Sequence, residues 1–318
     1  MIEHIADLLK HDKAGDPVHG LKWTRKTTRN IAQELRRLRI RISAKTVGRL
    51  LKKMGFSLRV NHKRLECGNK TPPPRRVRNR QFKYIKQKRE EFASRRSPVV
   101  SVDTKKKELV GNFKNNGVSW EITPYLAKDH DFPSDAKGMG IPYGIYDTEA
   151  NLGFVVVGTS YETPAFAVDA IVLWWKDCGR SMYPKTDELL ILADCGGANS
   201  ARARAWKYHL QHRLCNQYRL TVTVCHYPPG ASKWNPIEHQ LFSQISNNWA
   251  GKPLESYETI VKYARTTKTS CGLRVSARLL RKKYDKGEKI SDTQMKTLVL
   301  TPHKTFPNWN YTLAPSKM

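Results

Sequence analysis

Between residues 27 and 59 apolar residues recur at the three- and four-residue spacing of an α-helix. The first such stretch carries Ile31, Leu35 and Leu38, with Thr27 or Thr28 as a candidate N-cap. The second stretch starts after Ser43 and closes at Gly55. Its apolar positions are Val47, Leu50, Leu51 and Met54. Two short helices joined by about four residues, the second of them basic, predict a helix-turn-helix or an ordinary helical hairpin.

A different pattern begins at Pro98, where short β-branched runs alternate with helical segments. Predicted strands end at Asp103 and Asp194, a hairpin turns at residues 149–153, and another strand leads into Pro228. Helices are predicted over residues 162–180 and 199–218, and from Pro236 onward. This order predicts an α/β fold with one mixed central sheet flanked by helices, preceded by an all-α region.

These patterns divide the chain into four predicted segments. Residues 1–65 form a helix-turn-helix region, and residues 66–97 a basic linker and helix, since the prolines Pro72–Pro74 cannot lie inside a helix. Residues 98–250 form the α/β core. Residues 251–318 are expected as a C-terminal extension that packs on the core or follows it.

The charge distribution points to a polyanionic partner. The chain has 57 Lys and Arg against 28 Asp and Glu, a net charge of +29. Residues 1–97 hold 28 of the cations and 8 of the acids, so most of the excess lies in the first third. Such concentration is typical of nucleic-acid binding, with a solvated surface as the alternative. The cations expected to contact DNA are Lys45, Arg49, Lys52, Arg75, Arg76, Arg78 and Arg80.

Several classes of protein are excluded. The six cysteines are scattered without a CxxC pair, which argues against a zinc ribbon and a disulfide framework. No apolar run approaches the ~18 residues of a membrane span. The first residues lack the apolar centre of a signal peptide. We therefore expect a cytoplasmic protein without membrane contact.

Three acidic residues occupy positions suited to chemistry. Asp103 and Asp194 end predicted strands, and Glu238 lies early in the helix after Pro236. Functional groups of open α/β sheets gather beyond the carboxyl ends of strands, so the two aspartates would meet if their strands are neighbours. Converging carboxylates repel one another, and two Mg²⁺ ions would relieve that repulsion and act on a phosphodiester. Each acid alone could instead be a turn former, a first-turn acid or an ion-pair partner.

The residues around these acids resemble a known family. The segments that carry the resemblance are "SVDTKKKELVGNFKNNG", "HDFP", "IPYGIYD", "NLGFVVVGTSYETPAFAVDAI", "TVTVCHYPPGASKWNPIEHQLFSQI" and "NWNYTLAP". They closely resemble the Rhodopirellula-type transposase DDE domain family of bacterial insertion sequences. The similarity covers nearly the whole chain from about residue 16 onward. This chain departs from the family pattern at Cys195, where a glycine is usual, and at Pro236, where a lysine is usual.

The resemblance implies an RNase H-like catalytic domain over residues 98–250. It implies Asp103, Asp194 and Glu238 as the catalytic triad and as ligands of two Mg²⁺ or Mn²⁺ ions. The neighbouring Lys105 and Lys106 are candidates to hold a phosphate near the metals, with plain surface lysines as the alternative.

The function implied is that of an insertion-sequence transposase. Such a protein binds terminal inverted repeats, cleaves DNA strands in a metal-dependent step and transfers them to target DNA. The expected partners are double-stranded DNA and, on DNA, further copies of the chain, in a bacterial cytoplasm and associated with the nucleoid. Two alternatives stay open. One is a catalytically decayed remnant that binds DNA as a repressor, and the other is an RNase H-like nuclease without strand transfer.

Overall fold

The structure is a computed structural model that describes residues 2–10, 14–15, 22–23, 27–56, 73–118, 126–128 and 130–317. The chain divides into two units, Met1–Cys67 and Gly68–Met318. The predicted boundary at residues 65–66 and Pro72 of the predicted linker lie outside the described residues, and the four predicted segments stay a prediction. Among the described residues, no helix combines the length and apolar character needed to cross a bilayer.

The first unit is built from helices. These are α1 (Ile2–Lys10), α2 (Thr28–Arg37) and α3 (Ala44–Lys53), beside two short antiparallel strands, β1 (Ala14–Gly15) and β2 (Lys22–Trp23). Its buried apolar residues are Ile5, Ile31, Ala32, Leu35, Ile42 and Val47.

The ends of α2 and α3 confirm the predicted capping. Thr27 Oγ1 accepts a hydrogen bond from the Asn30 amide, and Ser43 Oγ accepts one from the Thr46 amide, each at 3.1 Å. Gly55 follows α3 with a φ of 84°, a left-handed conformation that suits glycine. The two helices begin and end where the side chains at their ends predict.

The second unit is organised around a nine-stranded mixed sheet. Its strands are β3 (Val99–Thr104), β4 (Glu108–Val110), β5 (Gly138–Asp147), β6 (Leu152–Gly158), β7 (Glu188–Ala193), β8 (Thr221–His226), β9 (Arg274–Leu280), β10 (Leu300–Pro302) and β11 (Asn310–Leu313). They pair in the order β10-β11-β8-β7-β3-β5-β6-β9, and β4 pairs with β5. Strand β3 runs antiparallel to β5 and parallel to β7, which is parallel to β8. The predicted mixed α/β fold is confirmed.

Helices cover both faces of this sheet. They are α4 (Arg75–Ser94), α5 (Pro164–Trp174), α6 (Arg180–Met182), α7 (Arg204–His209), α8 (Asn216–Tyr218), α9 (Ser243–Asn248), α10 (Tyr257–Thr266) and α11 (Asp292–Lys296). One face of β3 and β7 packs Val100 and Ile191 with α5 and α7, and the other packs Val99 and Leu190 with α4. Because both faces are covered, these strands are apolar throughout rather than alternating.

The C-terminal residues contribute strands to both edges of the sheet, and the apolar pattern did not predict them. Strand β9 pairs in parallel with β6 on one edge. Strands β10 and β11 form a hairpin, and β11 pairs antiparallel with β8 towards the other edge. The last part of the chain is thus integrated into the unit that carries the predicted core.

Candidate active site

Two of the three predicted acids lie side by side at the carboxyl ends of the central strands β3 and β7, a region that we call the acidic edge. Asp103 lies in β3, and Asp194 follows directly after β7. The two strands are parallel, with Val102 opposite Ala193, so each aspartate comes one residue after this pair. The prediction that the strands are neighbours is confirmed. The carboxyl ends of parallel strands bring the two side chains to the same edge.

The segment that carries the third acid, Glu238, is held against β3 by the buried side-chain amide of Asn235. Glu238 begins a π-helical turn (Glu238–Phe242) that leads into α9. Its amide donates to the Asn235 carbonyl at 3.1 Å. The fully buried Asn235 accepts a hydrogen bond from the Ser101 hydroxyl and donates one to the Val102 carbonyl at 3.3 Å. Ser101 Oγ also accepts from the Ile237 amide at 3.2 Å, so β3 itself fixes where Glu238 begins its turn.

A glycine allows this π-helical turn to lie close against the sheet. Gly144 on β5 is paired with Asp103. A Cβ at this position would lie 2.5 Å from the ring of Phe242 and 2.9 Å from Ile237. Any larger residue would push the turn, and with it Glu238, away from the strand that carries Asp103.

The three acids interact electrostatically. Burial, followed by the charge of Asp194, raises the pKa of Asp103 to about 8, and Glu238 adds to the rise. Burial, followed by Asp194, also raises the pKa of Glu238. Burial raises the pKa of Asp194, and the Gly196 amide, which donates to its Oδ1 at 3.1 Å, opposes that rise. Like charges held together out of water favour the protonated form of each, which explains these directions.

Glu162 is a fourth acid at this edge, and sequence reasoning missed it. It immediately precedes Thr163, the N-cap of α5, and it raises the pKa of both Asp103 and Asp194. Its carboxylate forms an ion pair with Lys107 at 2.9 Å. A signal was present in the sequence, because Glu162 lies a few residues beyond the end of β6, a strand with the same direction as β3.

The backbone of Asp194 is held by buried neutral groups. Burial lowers the pKa of His226 to about 4, so its ring is neutral, and its Nδ1–H donates to the Asp194 carbonyl at 2.8 Å. The neighbouring Cys195 thiol donates to the Tyr227 carbonyl at 3.0 Å, and burial raises its pKa to about 12. The residue that departs from the family pattern is therefore accommodated by the end of β8, with Asp194 kept in place.

The oxygen ligands of this edge suit a hard divalent cation, because Mg²⁺ and Mn²⁺ prefer carboxylates and a cation relieves the repulsion between them. However, no three His, Cys, Asp or Glu side chains within the described part of the chain converge closely enough to hold a metal ion. Asp103, Asp194 and Glu238 thus fit the cation by the chemistry of their oxygen ligands, and they do not form a three-ligand cluster in this arrangement.

The two lysines predicted to hold phosphate differ in their surroundings. Lys105 is buried, and its Nζ donates to Glu108 Oε1 at 2.6 Å and lies 4.5 Å from the centre of a Trp249 ring. Its charge lowers the pKa of Glu238 against the effect of burial. Lys106 is exposed. Lys105 thus already holds a carboxylate, whereas Lys106 is accessible to a phosphate.

The other predicted DNA-contacting cations lie on two helices, one in each unit. Lys45, Arg49 and Lys52 share one exposed face of α3, opposite the buried Val47. The remaining four lie in the first turns of α4: Arg75, Arg76 and Arg80 are exposed and Arg78 is half-buried. Their contact with DNA stays a prediction.

The sequence pattern of the Rhodopirellula transposase DDE domain family matches residues 4–315. Among solved structures, the Mos1 mariner paired end complex with Mn is similar at 18% identity and a TM-score of 0.44, covering 83% of this chain and 69% of that chain. The Mos1 strand transfer complex gives 17% identity and a TM-score of 0.41, with 83% and 68% covered. No curated protein sequence matches.

The family match extends over nearly the full length of the chain. The mixed sheet, with two strand-borne aspartates at one edge and helices on both faces, agrees with the RNase H-like domain that the resemblance implied. The chain belongs to the Rhodopirellula transposase DDE domain family.

Proposed function

We propose that this protein is a DNA transposase that cuts strands at the ends of its element and joins them to target DNA. One observation supports this most strongly. Asp103 and Asp194 leave adjacent parallel strands at one edge, and Asn235 fastens the segment of Glu238 to the same strand. The net charge of +29 favours binding of a polyanion such as DNA. The acidic edge would then hold the metal ions that act on its phosphodiester bonds.

Asp103, Asp194 and Glu238 would hold two Mg²⁺ or Mn²⁺ ions, which when bound activate the attacking oxygen and stabilise the leaving oxygen of a phosphodiester. The side chains themselves must be ionised to act as ligands. Asp103, with its pKa of about 8, gives up a proton to do so. The Gly196 amide orients the Asp194 carboxylate, and His226 fixes the backbone behind it.

Recognition of DNA is assigned to the exposed cations. Lys45, Arg49 and Lys52 on α3 would face the duplex as a helix-turn-helix does, with phosphate contacts giving affinity and base contacts giving specificity. Lys106 would hold a phosphate near the acids. Because two element ends must be brought together, at least two copies of the chain would act on DNA, in the nucleoid of a bacterial cytoplasm.

The test uses a labelled duplex that carries the ends of the element encoding the chain, incubated with Mg²⁺ or Mn²⁺. Wild type is compared with Asp194→Asn and with Asp187→Asn, an exposed aspartate just before the other end of β7. We expect metal-dependent cleavage and joined product from wild type and Asp187→Asn, and neither from Asp194→Asn.

Other outcomes identify the alternatives. Binding without cleavage by every protein would contradict the enzymatic function and identify a DNA-binding remnant that acts as a repressor. Cleavage without joining would identify a nuclease of the same fold. Cleavage that persists in Asp194→Asn would contradict the assignment of the site.

A further inference from the structure

A groove of about 990 Å³ opens beside Asp194 in the second unit. It is lined by the turn at residues 194–196, by residues 200–202, by residues 228–230 and by a loop of residues 306–309 between β10 and β11. Pro73 and Val77, at the start of α4, also line it. The groove therefore connects a proposed metal ligand with the end of α4 that carries the predicted DNA-contacting arginines.

Two cations line this groove, Arg202 and Lys207. Arg202 is exposed, and Lys207 is half-buried with its Nζ 5.1 Å from the centre of the Tyr311 ring. Throughout the described residues, neither side chain forms an ion pair with a carboxylate. Burial lowers the pKa of Lys207, because the charged ammonium loses part of its contact with water. A bound anion would offset that loss.

The 306–309 loop presents two aromatic rings from a rigid backbone. Phe306 and Trp309 lie 5.2 Å apart, and Phe306 adopts a φ of 47°, a strained left-handed conformation for an aromatic residue. The buried Asn310 donates to the Thr305 carbonyl at 2.7 Å and exchanges amide hydrogen bonds with Gln81 of α4. Such strain persists only where the surroundings fix the loop, and here a buried amide pair does so.

The lining of the groove matches the chemistry of an unpaired nucleotide. An unpaired base offers an aromatic face, and the phosphates on either side offer negative charge. Phe306 and Trp309 supply surfaces for stacking, and Arg202 and Lys207 supply the cations. A duplex would present mainly phosphates to the surface, because its bases are already stacked on one another, so it would offer the two rings no free base face. The Phe306 ring already has the Arg80 guanidinium 5.5 Å from its centre, which adds a cation beside the stacking surface.

We propose that this groove binds unpaired DNA nucleotides next to the phosphate on which the acids act, with Trp309 and Phe306 stacking on a base and Arg202 and Lys207 holding phosphates. The proposal rests on the proposed function, because it takes Asp194 as the reacting end of the groove. It gives the loop of the "NWNYT" segment a role in strand binding, separate from the recognition assigned to α3.

The test measures binding of the full-length protein to a blunt duplex and to the same duplex with a tail of about eight unpaired thymidines, a usual length for such grooves. We expect the tail to strengthen binding to wild type. Trp309→Ala should reduce the ratio of tailed-duplex to blunt-duplex affinity by about tenfold. Trp309→Phe, which keeps a ring for stacking, should retain most of that ratio. Arg202→Ala should weaken the salt dependence of tail binding by about 0.7 in logarithmic slope.

A photo-reactive halogenated uracil in the tail locates the contact. We expect a cross-link to the peptide that contains Phe306 and Trp309. Lys185→Ala, an exposed lysine before the amino end of β7, should leave tail binding unchanged. The proposal is overturned if the tail adds no affinity, if it cross-links only elsewhere, or if a uridine RNA or polyglutamate competes better than oligothymidine.

Failure of this proposal is distinguishable from failure of the proposed function. A protein that cleaves and joins DNA but binds the tail equally well after Trp309→Ala and Arg202→Ala retains its function and loses this groove assignment. A protein that never cleaves, yet cross-links the tail at Trp309, retains the groove and loses the transposase assignment. Asp194→Asn should bind the tail in either case.

Discussion

The acidic edge of the sheet and the basic face of α3 are built in opposite ways. Asp103, Asp194 and Glu238 are partly buried. Backbone amides of the following residues donate to the carboxylates of Asp103 and Asp194, and the Glu238 amide donates to the carbonyl of the fully buried Asn235. The cations of α3 are exposed, and Arg49 donates a 3.3 Å hydrogen bond to Thr46 on the same helix.

This difference agrees with the roles proposed for the two regions. Groups that act on a reacting phosphate must stay in fixed positions, even when gathering like charges costs stability. Groups that bind a polyanion act through charge, and exposed flexible side chains serve that purpose at little cost. We therefore expect changes at the acidic edge to affect rate, and changes on α3 to affect affinity.

The largest expected effect is the loss of cleavage in Asp103→Asn. Removing one proposed ligand should lower the single-turnover rate by about 10³-fold or more, equivalent to about 4 kcal/mol of transition-state stabilisation. The dissociation constant for the terminal duplex should stay within about twofold, because α3 is unchanged. Gel-shift and quenched-flow measurements on one preparation check both quantities.

The second effect concerns the amide that positions Glu238. Asn235→Ala should lower the rate by about 10- to 100-fold at saturating DNA, because the segment that carries Glu238 loses its two side-chain hydrogen bonds to β3. The same variant should lose about 1–3 kcal/mol of unfolding free energy. Asn247→Ala, the same change at an exposed residue on α9, is the control. A stability loss with an unchanged rate would make Asn235 a purely structural residue.

The third effect concerns affinity. Replacing Lys45, Arg49 and Lys52 by alanine should reduce the logarithmic salt slope of DNA binding by about one for each phosphate that the variant no longer neutralises. The rate at saturating DNA should be unchanged. Equilibrium binding across a salt series checks the slope, and Lys185→Ala measures the effect of losing one exposed lysine away from α3. An unchanged slope in the triple variant would remove α3 from the DNA interface.

The last effect concerns folding rather than DNA, and it is the pH dependence of stability in metal-free protein. Asp103 has a pKa of about 8 when folded, against about 4 when unfolded. Between these values the folded chain retains a proton that the unfolded chain has released, so stability falls as pH rises from about 4 to about 8. The slope from this group should be on the order of 1 kcal/mol per pH unit. Urea unfolding of wild type and Asp103→Asn across this pH range checks the slope. If the difference in unfolding free energy between the two proteins does not change with pH, Asp103 has an ordinary pKa.

The helix starts in the first unit and the strand that leads to Asp194 could be predicted from the sequence, because each is marked by residues close together in the chain. Thr27 and Ser43 mark helix starts, and the apolar run before Asp194 identifies a covered strand. Glu162 was missed because its position near the aspartates depends on the direction of β6 in the sheet, which is set by strand pairing. Likewise, the contact of Lys105 with Trp249 joins residues far apart in the chain, and no local pattern connects them.

The C-terminal strands were missed for a related reason. Strand β11 has four residues and pairs with the distant β8, and β10 has only three and joins the sheet through its hairpin with β11. Pairs between residues far apart in the chain leave little trace in a short segment. The groove beside Asp194 could not be predicted for the same reason, since it brings together residues from several distant parts of the sequence.

The most direct test of the division between the two regions measures DNA affinity and the rate at saturating DNA side by side. The proteins are wild type, Asp103→Asn and the triple α3 variant, all acting on the terminal duplex with Mg²⁺. We predict that Asp103→Asn keeps the affinity and loses the rate, and that the α3 variant loses affinity and keeps the rate. Two results would contradict the assignment of rate to the acidic edge and affinity to α3. One is cleavage by Asp103→Asn at the wild-type rate, and the other is an equal loss of affinity and rate in both variants.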